Sequence, residues 1–369
     1  VTTLETIAWR VVQRGAAPSA AVATALRRNG AFEVVSGHTA AVPPPPGHPV
    51  FDLASVTKPF VAVTAARAMR RGAFRATDPL GRFLPELAAS PSGSLPFIAF
   101  LAHRAGLEAH RPLFAPLVEG RPVERPAFLA EAASARRAEC ADGVPSNVAA
   151  RSETQEQGFP PLYSDLGYLL VGAALERVSG VALDTLVDQE VSGPLGLEVR
   201  SARLWRSAAR DFDDRVQPTE TVAFRGGEIR GVTHDENAWA FAGHGLAGHA
   251  GLFGTAEAVA RFGVVILDAL AGRLDSFLTP AEIRPLVAPR PDGSLRAGFD
   301  GKSGPSSAAG RLASDETFGH LGFTGTSLWC DPVAERVTVL LSNRVCPTRE
   351  NLAIRELRPE IQELLYGVG

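Results

Sequence analysis

Lysine is nearly missing from this chain: of its 37 basic residues only Lys58 and Lys302 are lysines, the rest being arginine. Positions that merely need positive charge have gone to arginine. A surviving lysine therefore points to chemistry that arginine cannot perform, since a desolvated ammonium gives up its proton and a guanidinium does not. Tyrosine is equally scarce, at Tyr163, Tyr168 and Tyr366. Cys140, Cys330 and Cys346 are too few and too scattered for a disulfide framework or a four-ligand zinc site, and their odd number fits a reducing compartment. Neither charge is in large excess. A net charge of -3 excludes a general electrostatic grip on nucleic acid. No uninterrupted apolar run is long enough to span a membrane. Residues 1–14 read as an amphipathic helix with Leu4, Ile7, Ala8, Val11 and Val12 on one side, lacking the basic start and apolar core of a signal peptide. The expectation is a cytoplasmic protein if Val1 is the true start, and a periplasmic or secreted bacterial one if a signal was removed.

What is present, 45% hydrophobic and 21% charged over 369 residues, is enough for one large domain with an insertion or for two domains. Residues 20–26 and 32–35 read as a hairpin about Arg28, Asn29 and Gly30. A stiff proline connector at 43–46 leads to an apolar stretch at 50–54. Residues 55–71 suit a helix that tolerates Pro59 in its first turn and stops at Gly72. From 78 to 235 the pattern changes to helical segments, clearest at 95–103, 126–137, 165–178 and 183–191, with a polar surface loop at 141–161. Beyond Gly254 come helices at 256–270 and 280–287, a loop at 291–310, strands at 316–320, 326–330 and 336–341, and a last helix at 350–365. Strands at both ends with helices between predict one α/β domain made of residues 1–77 and 236–369, with a mostly helical domain at 78–235.

Three short elements carry candidate chemistry. In Ser55-Val56-Thr57-Lys58, at a helix start, residues three apart share a face, so the Lys58 amine can reach the Ser55 hydroxyl and take its proton. The positive end of the helix favours negative charge developing nearby. Tyr163-Ser164-Asp165 stands where a loop enters a helix, and Gly319-His320-Leu321-Gly322 falls on a late strand. Each alone also fits a bland role: a cap with a surface lysine, a cap with a packed aromatic, a structural histidine.

Together and in this order they resemble the penicillin-recognising serine enzymes, with their Ser-x-x-Lys, Tyr-x-(Asn/Asp) and (Lys/His)-x-Gly elements. The detail is similar to the class C β-lactamase-like branch, which includes serine esterases and penicillin-binding proteins of the 4B type. Supporting stretches lie at 52–60, 78–86, 101–107, 162–172 and 194–197, and above all at 233–254 (THDENAWAFAGHGLAGHAGLFG) and 318–332 (FGHLGFTGTSLWCDP). The resemblance implies an antiparallel sheet flanked by helices, a helical domain beside it and an active site between. It also implies roles: Ser55 is acylated, Lys58 deprotonates it, Tyr163 shuttles protons to the leaving group, and the backbone N–H groups of Ser55 and Phe323 form the oxyanion hole. Asp165, His320, Leu321 and Gly322 are then expected to contact the substrate. A small-molecule ester, amide or peptide is the expected partner, with no cofactor and no metal.

Two departures matter. The late motif is His320-Leu321-Gly322 instead of the Lys-Thr-Gly of dedicated β-lactamases, and Asp165 stands where many relatives carry Asn. A titratable ring replaces a fixed cation and an isobutyl group replaces a hydroxyl, which weakens recognition of a free carboxylate and favours a neutral ester or amide over a β-lactam. Peptidase or β-lactamase activity on peptidoglycan peptides or β-lactams is the alternative, and a non-catalytic penicillin-binding sensor another. A metal hydrolase built on His234, Asp235, His244 and His249 is disfavoured, because the segment is too rich in glycine for a helix and tight backbone packing beside the cleft explains the glycines better.

Overall fold

The computed structural model describes residues 3–40, 47–140, 158–274 and 276–368. Its strands are β1 (Ser19–Arg28), β2 (Ala31–Ala40), β3 (Phe51–Asp52), β4 (Val199–Ser201), β5 (Thr221–Val222), β6 (Gly227–Glu228), β7 (Leu252–Gly254), β8 (Asp300–Gly301), β9 (Phe318–Leu321), β10 (Ser327–Asp331) and β11 (Arg336–Ser342). Six of them form one antiparallel sheet in the order β2-β1-β11-β10-β9-β8, so the two ends of the chain meet where β1 pairs with β11. A smaller sheet, β3-β7-β4, carries the segment that leads into Ser55.

Alternation along the strands decides what covers each face. On one side Ala20, Val22 and Leu340 pack against the Leu4–Gln13 and Ile354–Tyr366 helices. On the other, Ala21, Ala23, Ala25, Val337 and Val339 join the main core with the Ala256–Leu270 helix. The first helix buries Leu4, Ile7, Ala8 and Val11, an i, i+3, i+4, i+7 stripe, and Thr3 caps it by accepting the Thr6 N–H. Val12, expected on that stripe, lies off it and is half-buried.

The Thr57–Arg70 helix is apolar all round because it runs through the core, buried from Thr57 to Ala66 and again at Ala68. It starts two residues later than the sequence predicts: Ser55 belongs to a single 3-10 turn, Ala54–Val56. The helix expected at 183–191 is interrupted too, since Leu183–Val187 passes into a widened turn at Asp188–Ser192. The hairpin strands and the last three strands are longer than or shifted by a residue or two from their sequence expectations, where pairing rather than composition sets the ends. The proline connector and most of the polar loop, residues 141–157, lie outside the described residues. Among the described residues no single helix is long and apolar enough to cross a membrane.

The glycine-rich run 243–254 packs backbone against backbone. A Cβ on Gly248 would fall 1.7 Å from the Tyr168 carbonyl oxygen, and one on Gly172 would meet the Gly248 nitrogen at 2.8 Å. Tight packing of this run on the Asp165–Ser179 helix is thus the reason for glycine at both positions. Gly248→Ala should lower stability by about 1–3 kcal/mol or more through overpacking, read as a lowered melting temperature. An unchanged melting temperature would mean that the contact has slack.

Candidate active site

The turn that presents Ser55 is held from both sides. Asp52 accepts the Ala54 N–H at 2.8 Å and the His234 N–H at 2.8 Å through its two carboxylate oxygens. Ala54 sits at φ +47°, a left-handed conformation unusual for a residue with a Cβ and one that the flanking structure has to impose. From the other side Thr324 and Thr326 donate their hydroxyls to the Asp52 and Leu53 carbonyls at 2.7 and 2.9 Å, tying the turn to the residues just after β9.

Lys58 comes one turn after Ser55 and is completely buried. Its Nζ lies 2.9 Å from Ser55 Oγ, 2.6 Å from the Tyr163 hydroxyl, 2.7 Å from Asp165 Oδ1 and 3.4 Å from the His249 carbonyl. The Tyr163 hydroxyl is itself 2.7 Å from Ser55 Oγ, which closes a triangle of hydroxyl, amine and phenol. Burial lowers the pKa of Lys58, and the nearby charges of Asp165 and Asp235 oppose that shift only in part. Burial, with Asp165 next, pushes Tyr163 well above its ordinary value, so the phenol stays protonated. The amine is thus the group suited to take a proton, and the phenol can only pass one on.

Tyr163 is positioned by the entry to the Asp165–Ser179 helix. Ser164 caps that helix through the Gly167 N–H at 3.3 Å, and its own N–H donates to His103 Nδ1 at 3.0 Å. Rings flank Tyr163: His103 at 4.7 Å and His320 at 5.9 Å between centroids. Burial, reinforced by the Lys58 charge, holds both imidazoles neutral, with His320 brought down to about 3 and His103 lowered well below its usual value. His320 donates from Nδ1 to the Leu321 carbonyl at 2.7 Å, which leaves Nε2 as the acceptor. His320 therefore supplies no fixed cation to the cavity, in line with the expectation of a titratable ring in the late motif.

Ser55, Tyr163, Asp165, His320, Leu321 and Phe323 all line one cavity of about 380 Å³, together with Gly322. Among the described residues neither the Ser55 nor the Phe323 backbone N–H has a hydrogen-bond partner, so both are free to donate to a ligand. Gly322 is there for closeness: a Cβ would fall 1.9 Å from Thr326 Oγ1 and 2.6 Å from the Leu53 carbonyl oxygen. Asp165 and Leu321, both expected to contact substrate, border the cavity. Asp165 also gives one oxygen to Lys58, and Leu321 also packs against the cluster of Ala309, Ala313 and Trp329. Of the histidines weighed as metal ligands, His234 pairs with Glu220 and His249 with Asp235, each at 2.9 Å, while His244 lies near Arg206 at 3.4 Å. His103 and Asp52 were not singled out as site residues by sequence, and Asp235 and His249 were weighed only as metal ligands. Their spacing from Ser55 and Tyr163 carries no pattern, and the one pointer to them was that each falls in a stretch that carries the family resemblance, 52–60, 101–107 or 233–254.

Residues 8–362 match the Beta-lactamase family. The chain belongs to that family. As a member of the β-lactamase family it is a serine hydrolase, similar to a putative D-alanyl-D-alanine carboxypeptidase of Escherichia coli strain K12 at 27% identity over 315 residues, covering 80% of this chain and 69% of that one. An N-acetylmuramyl-L-alanine amidase of Bacillus subtilis strain 168 is 25% identical over 314 residues, covering 80% and 68%. Two solved structures share the fold. EstCE1, described as a hydrolase with promiscuous acyltransferase activity, superposes with a TM-score of 0.66 at 19% identity over 96% of this chain and 97% of its own. A penicillin-binding protein homolog from Caulobacter crescentus gives 0.65 at 20% identity over 98% and 96%.

The Lys58–Asp165 contact yields a pH prediction. If kcat/KM rises with pH as Lys58 loses its proton, Asp165→Asn removes the nearest charge that favours the ammonium, and the rising limb must move to lower pH. A pH profile whose rising limb stays in place, or moves up, would show that another group controls it.

Proposed function

We propose that this β-lactamase-family protein hydrolyses carboxylic esters or amides through an acyl-enzyme on Ser55. The Ser55–Lys58–Tyr163 triangle carries this reading. In acylation the Ser55 Oγ–carbon bond forms while its proton passes to Lys58 Nζ. The carbonyl oxygen, now negative, takes the N–H groups of Ser55 and Phe323. The bond to the leaving group then breaks as Tyr163 hands a proton to the departing oxygen or nitrogen and is reprotonated from Lys58. Water, giving its proton to the same pair, attacks the acyl-enzyme carbonyl, and the carbon–Oγ bond breaks as that proton passes to Ser55 Oγ, which releases the acid. A sheet domain of residues 1–77 and 236–369 and a helical domain of 78–235, with the cleft between them, are part of this proposal. The names of the relatives, a carboxypeptidase and an amidase, favour an acyl compound, and peptidase activity on peptidoglycan peptides is the second reading they support.

Treatment with a fluorophosphonate followed by peptide mass spectrometry should place the adduct on Ser55. An adduct on Ser164 or Ser327 instead would sink the assignment. Lys58→Arg keeps the charge but removes the base, and should cost ~10²–10⁴-fold in turnover of p-nitrophenyl esters. Turnover within a few-fold of wild type would leave Lys58 as a structural cation.

A further inference from the structure

His234 is buried and takes no part in the proton transfers at Ser55, yet it touches both segments that carry the proposed oxyanion donors. Its main-chain N–H donates to Asp52 Oδ2 at 2.8 Å, and Asp52 Oδ1 takes the Ala54 N–H at 2.8 Å. Residue 234 thus braces the turn that leads straight into Ser55. Its ring lies nearly parallel to that of Phe323, with 5.7 Å between centroids and 20° between planes. The side chain is held as firmly as the backbone. His234 Nε2 lies 2.9 Å from Glu220 Oε2. Burial pushes the pKa of Glu220 up, but the hydrogen bonds from His234 and Arg349 bring it down to about 2. A carboxylate only accepts, so Nε2 carries the proton of this bond. Arg349 donates to Glu220 from its main-chain N–H at 2.9 Å and from Nε at 2.7 Å, and pairs with Glu236. Arg225 donates to the carbonyls of Thr233 and His234, both at 2.8 Å. With its N–H, carbonyl and Nε2 all tied, His234 has little freedom to swing away from Phe323.

Phe323 needs such a hold. Its side chain is 48% exposed where it borders the cavity. Its N–H belongs to the peptide shared with Gly322, which has no Cβ to restrict the tilt of that peptide. Arg358, in the second turn of the Ile354–Tyr366 helix, donates to the Gly322 carbonyl at 2.7 Å, and Arg344 donates to the Phe323 carbonyl at 2.7 Å. Both guanidinium groups line the cavity with Arg355, and that of Arg344 also lies 4.4 Å from the centroid of the Phe323 ring. These arginines hold the carbonyls, and His234 holds the ring. A donor that is already aimed when charge develops costs no reorganisation during the reaction.

We propose that His234 is the positioning residue of the oxyanion hole: its main-chain N–H fixes the turn that presents Ser55, and its ring, held by Glu220, fixes Phe323. This deepens the acyl-enzyme reading and rests on it, because both N–H groups serve the carbonyl oxygen of the acyl compound. One residue then sets the distance and angle between two donors that come from opposite ends of the chain. A histidine that merely filled its buried site would change stability and leave the handling of the carbonyl oxygen alone.

The test compares kcat/KM for p-nitrophenyl acetate with that for O-p-nitrophenyl thionoacetate, whose sulfur is larger than the carbonyl oxygen and a weaker hydrogen-bond acceptor. The ratio does not depend on how much of a preparation is folded. Wild-type protein should favour the oxygen ester, and His234→Ala should shrink that preference by about tenfold or more. His234→Phe, which restores a ring beside Phe323, should recover part of it. A His234→Ala ratio within about twofold of wild type, or a His234→Phe ratio no better than that of His234→Ala, overturns the proposal. Continued turnover of p-nitrophenyl acetate then leaves the acyl-enzyme reading standing. If neither variant folds, Glu220→Gln, which removes only the charge that holds the ring, is measured in the same way, and an unchanged ratio overturns the proposal equally. Absence of turnover by wild-type protein would overturn the acyl-enzyme reading, and this proposal with it.

Discussion

A single buried ammonium organises this site. Lys58 has no exposed surface, yet it meets Ser55, Tyr163 and Asp165 within 2.9 Å. Burying an amine favours its neutral form, and a carboxylate next to it favours the charged one. The surroundings of Lys58 combine both, so that its proton is loosely held without the group becoming an uncompensated buried charge. The neighbouring rings follow from the same constraint. Two imidazoles stand about Tyr163, and because burial and the Lys58 charge keep both neutral, neither adds a second cation beside Lys58.

The remaining geometry brings backbone close to backbone. Gly322 lets the end of β9 lie against Leu53, and Thr324 and Thr326 bond back to the turn that presents Ser55. The two N–H groups proposed to receive the oxyanion therefore come from segments stitched together by hydrogen bonds, and Arg344 and Arg358 hold the carbonyls on either side of Phe323. Strain at Ala54 belongs to the same arrangement: a left-handed residue turns the chain so that Ser55 faces Tyr163 while the following helix enters the core.

Much of this was legible in the chain. Scarcity of lysine made Lys58 stand out, the Ser55–Lys58 spacing placed amine and hydroxyl on one face, and the order of the Tyr163 and His320 motifs identified the family. The Leu4–Val11 stripe marked the buried face of the first helix, because it reports only local periodicity. What the motifs could not give is the surroundings of each residue: Asp165 borders the cavity and also meets Lys58, and burial holds His320 neutral.

Sequence by itself pointed to the proposed nucleophile and its neighbouring base and determined the family and the layered α/β architecture, since these depend on residue type, spacing and periodicity over short stretches. Tertiary structure decided the charge states and the makeup of the far wall of the cavity. A pKa depends on burial and on groups distant along the chain: Lys58 meets Asp165 across 107 positions, and Arg358 meets Gly322 across 36. Neither separation follows a helical or strand period, so nothing in the linear order announces that the start of the last helix supplies cations to the pocket in which Ser55 stands.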